Sequence, residues 1–247
     1  RTAYAKTPDS QTVLLLAGAQ QVTGDSDGAI KTLRDWLTAH PDDAQVRTRL
    51  AMELQRLGRR EEAIAEYERL AQRGAQANAG SDTTILDRGL RQADTLLIQA
   101  YLQQKDYDKA VAAAHELTRK QPNEPGAFNL LGAVYLAKGD NPAARTAFEQ
   151  ALKLKPDYVP AQMNLAGIEA QSGDTAGAQL RYRRVLEREP DNLAAVLRLT
   201  ALLGRTDESL RLLEGAWNRR PDSVEAGLAL AQEYLTRQNN AQALAVV

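Results

Sequence analysis

The sequence predicts an all-α solenoid, in which antiparallel helix pairs stack in about seven repeats and the last repeat is truncated. Three observations carry this. Pro122, Pro156 and Pro190 stand 34 residues apart. A leucine recurs in register as Leu16, Leu50, Leu97, Leu131, Leu165, Leu199 and Leu230. A Gly-Asp pair separates the two helices of a unit at Gly24-Asp25, Gly139-Asp140 and Gly173-Asp174. A fixed period of this length marks a repeat array in which each unit contacts only its neighbours.

One array is expected over 1–247, with repeats at approximately 10–43, 44–90, 91–124, 125–158, 159–192, 193–223 and a partial 224–247. The leucine column sits in each first helix. A small-residue column opens each second helix: Ala29, Ala63, Ala110, Ala144, Ala178, Ser209 and Ala243. A mostly bulky column follows: Leu33, Tyr67, Ala114, Phe148, Tyr182 and Leu213, with Val247 at the end. Small residues let the paired helices approach, and larger apolar groups fill the space between repeats. Gly24, Gly58, Gly139 and Gly173 end first helices, where glycine tolerates the left-handed conformation of the last turn. Asp25, Asp140 and Asp174 then cap second helices. Proline stops those helices because it has no amide hydrogen and clashes with a continuing turn.

Two departures interrupt the period. Pro41 and Pro122 are 81 residues apart, thirteen more than two repeats, which places an insertion near 74–90. A longer loop and a first helix extended at its N-terminus, capped near Ser81 or Asp82, are expected there. A partner-contacting elaboration is the alternative. Before Gly204, in LRLTALLGRTDESL, three residues are missing, which trims the sixth first helix.

With 31 basic and 32 acidic side chains the net charge is −1, so no global field favours nucleic acid. Glu187 and Glu189 interleave with Arg181, Arg183, Arg184 and Arg188, so that cluster is expected to be a solvated outer helix face. There is no cysteine, hence no disulfide or thiolate chemistry in this segment. No run of 18 apolar residues occurs, and VLLLAGA fits the first helix of the first repeat. The chain starts at Arg1 and stops inside a helix, as a fragment or processed form would; any signal, lipid anchor or capping helix would lie outside it. His40 and His115 lie in different repeats and share no ligand spacing. Glu61-Glu62 and Asp42-Asp43 fall at a helix start and an inter-repeat turn, where acids complement the helix dipole. No catalytic residue, metal site or cofactor site is expected, and the chain is read as not an enzyme.

The unit NLLGAVYLAKGDNPAARTAFEQALKLKP closely resembles the tetratricopeptide repeat, with Leu131, Gly132 and Tyr135 in its first helix and Ala144, Phe148 and Ala151 in its second. The resemblance implies a right-handed superhelix whose first helices line a concave groove. It places Gln45, Thr48, Met52, Gln92, Thr95, Gln99, Asn129, Ala133, Met163, Gly167 and Leu197 in that groove as candidate partner-binding residues. They are uncharged, rich in amides and small toward the middle. These positions offer no basic clamp of the kind that holds acidic chaperone C-termini. Only Asn164 occupies the column of the asparagine ladder found in arrays of sugar-transferring enzymes. An extended peptide, a partner helix or a neutral glycan remains as the occupant.

From Tyr101 to Asn192 the chain also resembles the tetratricopeptide lipoproteins of the PEP-CTERM and exopolysaccharide system of Gram-negative bacteria. The residues carrying this are KDYDKA, NLLGAVYLAKGD with the following ARTAFEQAL, and PDYVPAQMNLA. That resemblance implies a non-enzymatic scaffold at the periplasm or the periplasmic face of the outer membrane, binding partners of exopolysaccharide assembly or export. The alternatives are a cytosolic adaptor of another complex and the regulatory array of a larger enzyme.

Overall fold

The computed structural model describes residues 9–77 and 84–246, which form fourteen α-helices and, among the described residues, no strand. They divide into two compact units, residues 1–122 and 123–247. The first unit holds α1 (Ser10–Val22), α2 (Ser26–Ala39), α3 (Ala44–Arg56), α4 (Arg60–Ala77), α5 (Thr84–Gln104) and α6 (Tyr107–Lys120). The second holds α7 (Pro125–Lys138), α8 (Asn141–Leu154), α9 (Val159–Gln171), α10 (Thr175–Arg188), α11 (Leu193–Leu203), α12 (Asp207–Arg219), α13 (Val224–Thr236) and α14 (Asn240–Val246). Within each unit every helix packs on the next in chain order, and first helices also meet first helices, as α1 meets α3 and α7 meets α9. The insertion lengthens both helices beside it, α4 to 18 residues and α5 to 21. The cap expected at Ser81 or Asp82 lies outside the described residues.

The turns between paired helices form as the Gly-Asp pattern requires. Gly139 sits at φ 88°, its amide donates to Leu136 O, and the Asp140 amide donates to Tyr135 O. These bonds satisfy carbonyls that the helix end leaves open. Asp140 then accepts from the Ala143 amide at 3.1 Å, and Asp174 does the same for Gly177 at 2.9 Å. Two repeats make this turn without glycine. Lys105 and Gln238 both adopt φ 60°, and the amides of Lys105 and Asp106 donate to Leu102 O and Tyr101 O in the same pattern. An L-residue there costs about 1–2 kcal/mol, which the surrounding hydrogen bonds sustain. The shortened sixth repeat closes differently. Gly204 takes φ 64°, and the buried Ser209 hydroxyl donates to its carbonyl at 2.6 Å, which accounts for serine in an otherwise alanine column.

Packing follows the columns. Six of the seven column leucines are no more than 6 % exposed; Leu16, in the first repeat, is only half-buried. In the second unit Phe148 is fully buried among Ala144, Ala151, Ala161, Leu165 and Ile168. Tyr182 takes the same place in the next repeat, against Ala166, Ala178 and Ala195. Each such side chain contributes about 1.5–3 kcal/mol by leaving water. Gly132 makes the approach possible: a Cβ there would stand 2.5 Å from the Phe148 ring. Gly132→Ala is therefore expected to destabilise the second unit by about 1–3 kcal/mol through overpacking. Urea unfolding followed by circular dichroism measures it.

Candidate functional site

The candidate groove residues fall on the first helices of both units. In the first unit Gln45, Met52 and Gln99 are exposed, while Thr48 and Thr95 are half-buried. The Thr48 hydroxyl is already used, donating to Ala44 O at 2.7 Å. The Gln92 side chain lies outside the described residues. Amides link neighbouring first helices here, with Gln55 Nε2 donating to Gln103 Oε1 at 3.1 Å. Arg49, which the columns did not single out, donates to Gln21 Oε1 from α3 to α1, so this edge carries a guanidinium.

In the second unit Asn129, Ala133, Met163, Gly167 and Leu197 are all half-buried. Asn164 Nδ2 donates to Asn129 Oδ1 at 3.1 Å, joining α7 to α9. The two asparagines occupy different columns, so column reading alone did not pair them. Gly167 is the most informative residue of this face. It lies inside α9, and a Cβ added there meets nothing within 4 Å. Unlike Gly132, no packing contact calls for a glycine at that position.

Buried polar side chains form a second set, and their partners show what they do. Arg47, Asp94 and Gln162 stand three residues before column leucines. Arg47 pairs with Glu66 and donates to Pro41 O at 2.6 Å. Gln162 Nε2 donates to Pro156 O at 2.9 Å. Lys120 Nζ contacts both Asp94 oxygens at 2.9 and 3.0 Å and donates to Ala71 O at 3.1 Å. Arg47 and Gln162 thus supply donors to carbonyls just past the ends of second helices, which are otherwise left open. Burial pushes the Asp94 carboxyl above its ordinary value, with Lys120 opposing that rise.

The arginine cluster on α10 departs from the expected solvated face. Arg181 Nε donates to both oxygens of buried Glu169 at 2.7 and 2.8 Å, and its Nη1 reaches Gln162 Oε1 at 3.0 Å. Arg183 grips Glu208 on α12 at 3.0 and 3.1 Å, and Arg188 pairs with Asp157 at 2.9 Å. Arg184 and Arg188 are exposed, whereas Arg181 and Arg183 are partly buried, Arg181 against the paired helix of its own repeat and Arg183 against the next repeat. Three of the four arginines thus clamp α10 to other segments, one within its repeat and two across repeat boundaries.

The remaining titratable groups read as structural. Asp43 caps α3 through the Val46 amide at 3.0 Å and accepts from Trp36 Nε1 at 2.8 Å and from the Ser10 hydroxyl. Burial would raise its pKa, but these donors together hold it below its ordinary value. Arg59 and Arg34 hold exposed Glu62 low by hydrogen bonding. Burial raises the Tyr67 phenol to about 12, the opposite of activation. His40 stacks on Trp36 with centroids 3.7 Å apart. Among the described residues no group of three or more potential ligands could hold a metal ion, and no helix is long and apolar enough to cross a membrane.

Comparison with known proteins agrees with the repeat. Two family models described as "Tetratricopeptide repeat" match residues 95–159 and 135–203. A third, "Bacterial transcriptional activator domain", matches residues 9–91. No curated protein matches the sequence. Among solved structures, a tetratricopeptide repeat protein from Parabacteroides merdae is similar at TM-score 0.61 and 14% identity, covering 96% of this chain and 90% of that one. MamA of Desulfovibrio magneticus RS-1 is similar at TM-score 0.54 and 17% identity, covering 74% and 96%. YrrB, described as a TPR protein with an unusual peptide-binding site, is similar at TM-score 0.50 and 19% identity, covering 78% and 95%. At these identities the likeness is one of fold: the chain is built of tetratricopeptide-type helix pairs.

The buried pair generates a test. Lys120→Met leaves Asp94 buried without its cation and is expected to cost about 3–5 kcal/mol near neutral pH. Adding Asp94→Leu should restore most of it. Burial holds the Asp94 pKa above its unfolded value of about 3.9. The single variant's deficit is therefore smallest below that pH, where both states are protonated, and grows as pH rises through the folded pKa. Urea midpoints across a pH series check both expectations.

Proposed function

We propose that this chain is a non-enzymatic scaffold that binds a protein partner, as an extended peptide or a short helix, along its first-helix faces. The observation that carries the reading is Gly167. A helical glycine costs roughly 0.5–1 kcal/mol relative to alanine, and no neighbouring atom requires one there. Beside it stand Ala133, Met163 and the joined amides of Asn129 and Asn164. Small groups admit a ligand backbone, amides offer it hydrogen bonds, and a preformed helical surface loses little ordering entropy on binding. The repeat family and the peptide site named for YrrB support the same class of function. Gly167→Ala should raise stability by roughly 0.5–1 kcal/mol, whereas Gly167→Arg should leave the fold intact and abolish partner capture. Photo-crosslinking from Met163 in host extracts, with and without Gly167→Arg, reads this. Crosslinks that survive the arginine would remove the groove from consideration.

At finer grain, the proposed setting is the periplasm or the periplasmic face of the outer membrane, with partners in exopolysaccharide assembly or export, or a neutral glycan. Its support is the resemblance of the Tyr101–Asn192 stretch to PEP-CTERM-associated lipoproteins. One observation favours a second reading, a cytosolic adaptor: the match of residues 9–91 to a bacterial transcriptional activator domain. Fractionation of the native gene product with a fatty-acid label separates the two. Labelled protein in the outer-membrane fraction is the expected result. Unlabelled cytosolic protein would discard the envelope setting.

A further inference from the structure

We propose that the segment bound along the first-helix faces of the second unit carries an internal aspartate or glutamate whose carboxylate meets Arg198. This partner chemistry rests on the groove reading above and narrows it to acidic segments.

Arg198 lies on α11, one residue before the column leucine Leu199. Asn164 holds the same place on α9, one before Leu165, and meets Asn129 of the preceding first helix, two before Leu131. The same register sets Arg198 beside Met163, two before Leu165, on the face that also carries Gly167. Met163 and Ala170 of α9 and Leu202 of α11 pack against one shared buried cluster that includes Leu199, so the two helices adjoin there. Arg198 is exposed. Its neighbours one turn away along the helix, Ala194 and Ala201, are exposed too. The guanidinium therefore stands among small groups on its own helix.

Most arginine charge in this unit is matched inside the chain. Arg145, Arg181, Arg183, Arg188, Arg220 and Arg237 each pair with a carboxylate. Arg184, Arg205 and Arg211 have no ion pair among the described residues, but they sit on second helices or in a turn. Arg198 has neither an ion pair nor a hydrogen bond among the described residues. Nor do the first helices offer it an acid. The acids of α7, α9, α11 and α13 are Glu169, Glu225 and Glu233. Glu169 is buried and held by Arg181, and Glu233 is held by Arg237. Glu225 is exposed in the first turn of α13, where it complements the helix dipole. The faces of α7, α9 and α11 thus carry positive charge and no exposed acid, in a chain whose net charge is −1.

A peptide carboxylate fits this imbalance. The planar guanidinium fork binds a carboxylate through two parallel hydrogen bonds, and small apolar surroundings screen that pair less than open water does. The acid is internal because α11 stands between α9 and α13 in the stacking order, so a segment along these faces continues past Arg198 on both sides.

A random peptide library displayed on phage, inserted so that no free C-terminus is offered, tests this by selection on the intact chain. Binders that Gly167→Arg abolishes are expected to share an Asp or Glu at one position. With those sequences made as amidated peptides, Arg198→Gln should weaken binding about two- to fivefold. Arg198→Lys should weaken it less and Arg198→Glu more. Exchanging the shared peptide acid for lysine should weaken binding to the parent and restore it to Arg198→Glu, which a merely structural role for Arg198 would not produce. Circular dichroism confirms that each variant folds. Groove-directed binders that share no acid, or acidic binders indifferent to Arg198→Glu, overturn the proposal and leave the groove reading standing. A selection that yields no binder sensitive to Gly167→Arg removes the groove reading and this proposal with it.

Discussion

The structure depends on the inability of one helix pair to bury its own apolar face. Phe148 fills the space between α8 and its neighbours only because Gly132 and Ala144 let the helices approach, and because Ala161 and Leu165 of the next pair close over it. Removing the neighbour would return these groups to water at about 25 cal/mol per Å², so stacking is a condition of folding. Tyr182 repeats the arrangement one repeat later with Leu199 as the closing leucine. Each unit is therefore a chain of mutual dependence between adjacent repeats.

Buried polar groups add direction to that stacking. An ion pair such as Lys120–Asp94 is weak evidence of net stability, because desolvation offsets the attraction. It does decide register, since a slip that parts the two leaves a buried charge unpaired. The same holds for Arg181, which ties Glu169 and Gln162 of one helix to the next. Arg47 and Gln162 do more, because each also satisfies a proline carbonyl just past a second helix. Proline ends the helix, its carbonyl needs a donor, and the following repeat supplies one.

Much of this architecture was legible in the sequence, and the boundary of legibility has a physical cause. Leucine, alanine and Gly-Asp columns are periodic because helix crossing imposes the same demand in every repeat, and they announced the fold. Lys105 and Gln238 escaped notice because the left-handed turn is set by hydrogen bonds that a non-glycine residue can tolerate at a cost. The α10 arginines read as solvated because interleaved acids suggested pairing along the helix. Their partners Glu169, Glu208 and Asp157 instead lie 12 to 31 residues away in sequence. Such pairs are private to one junction between helices and leave no column. For the candidate site, the first-helix face could be listed by position, but the junction of Asn129 with Asn164 needed the geometry of neighbouring helices.

Two glycines in consecutive first helices show that one residue type can answer to different demands. Gly132 is demanded by Phe148, so its small size is explained entirely inside the protein. Gly167 stands two residues past its leucine where Gly132 stands one past, and that shift of about 100° around the helix turns it from the neighbouring helix toward open space. A helix-weakening residue is thus retained where no internal contact benefits from it.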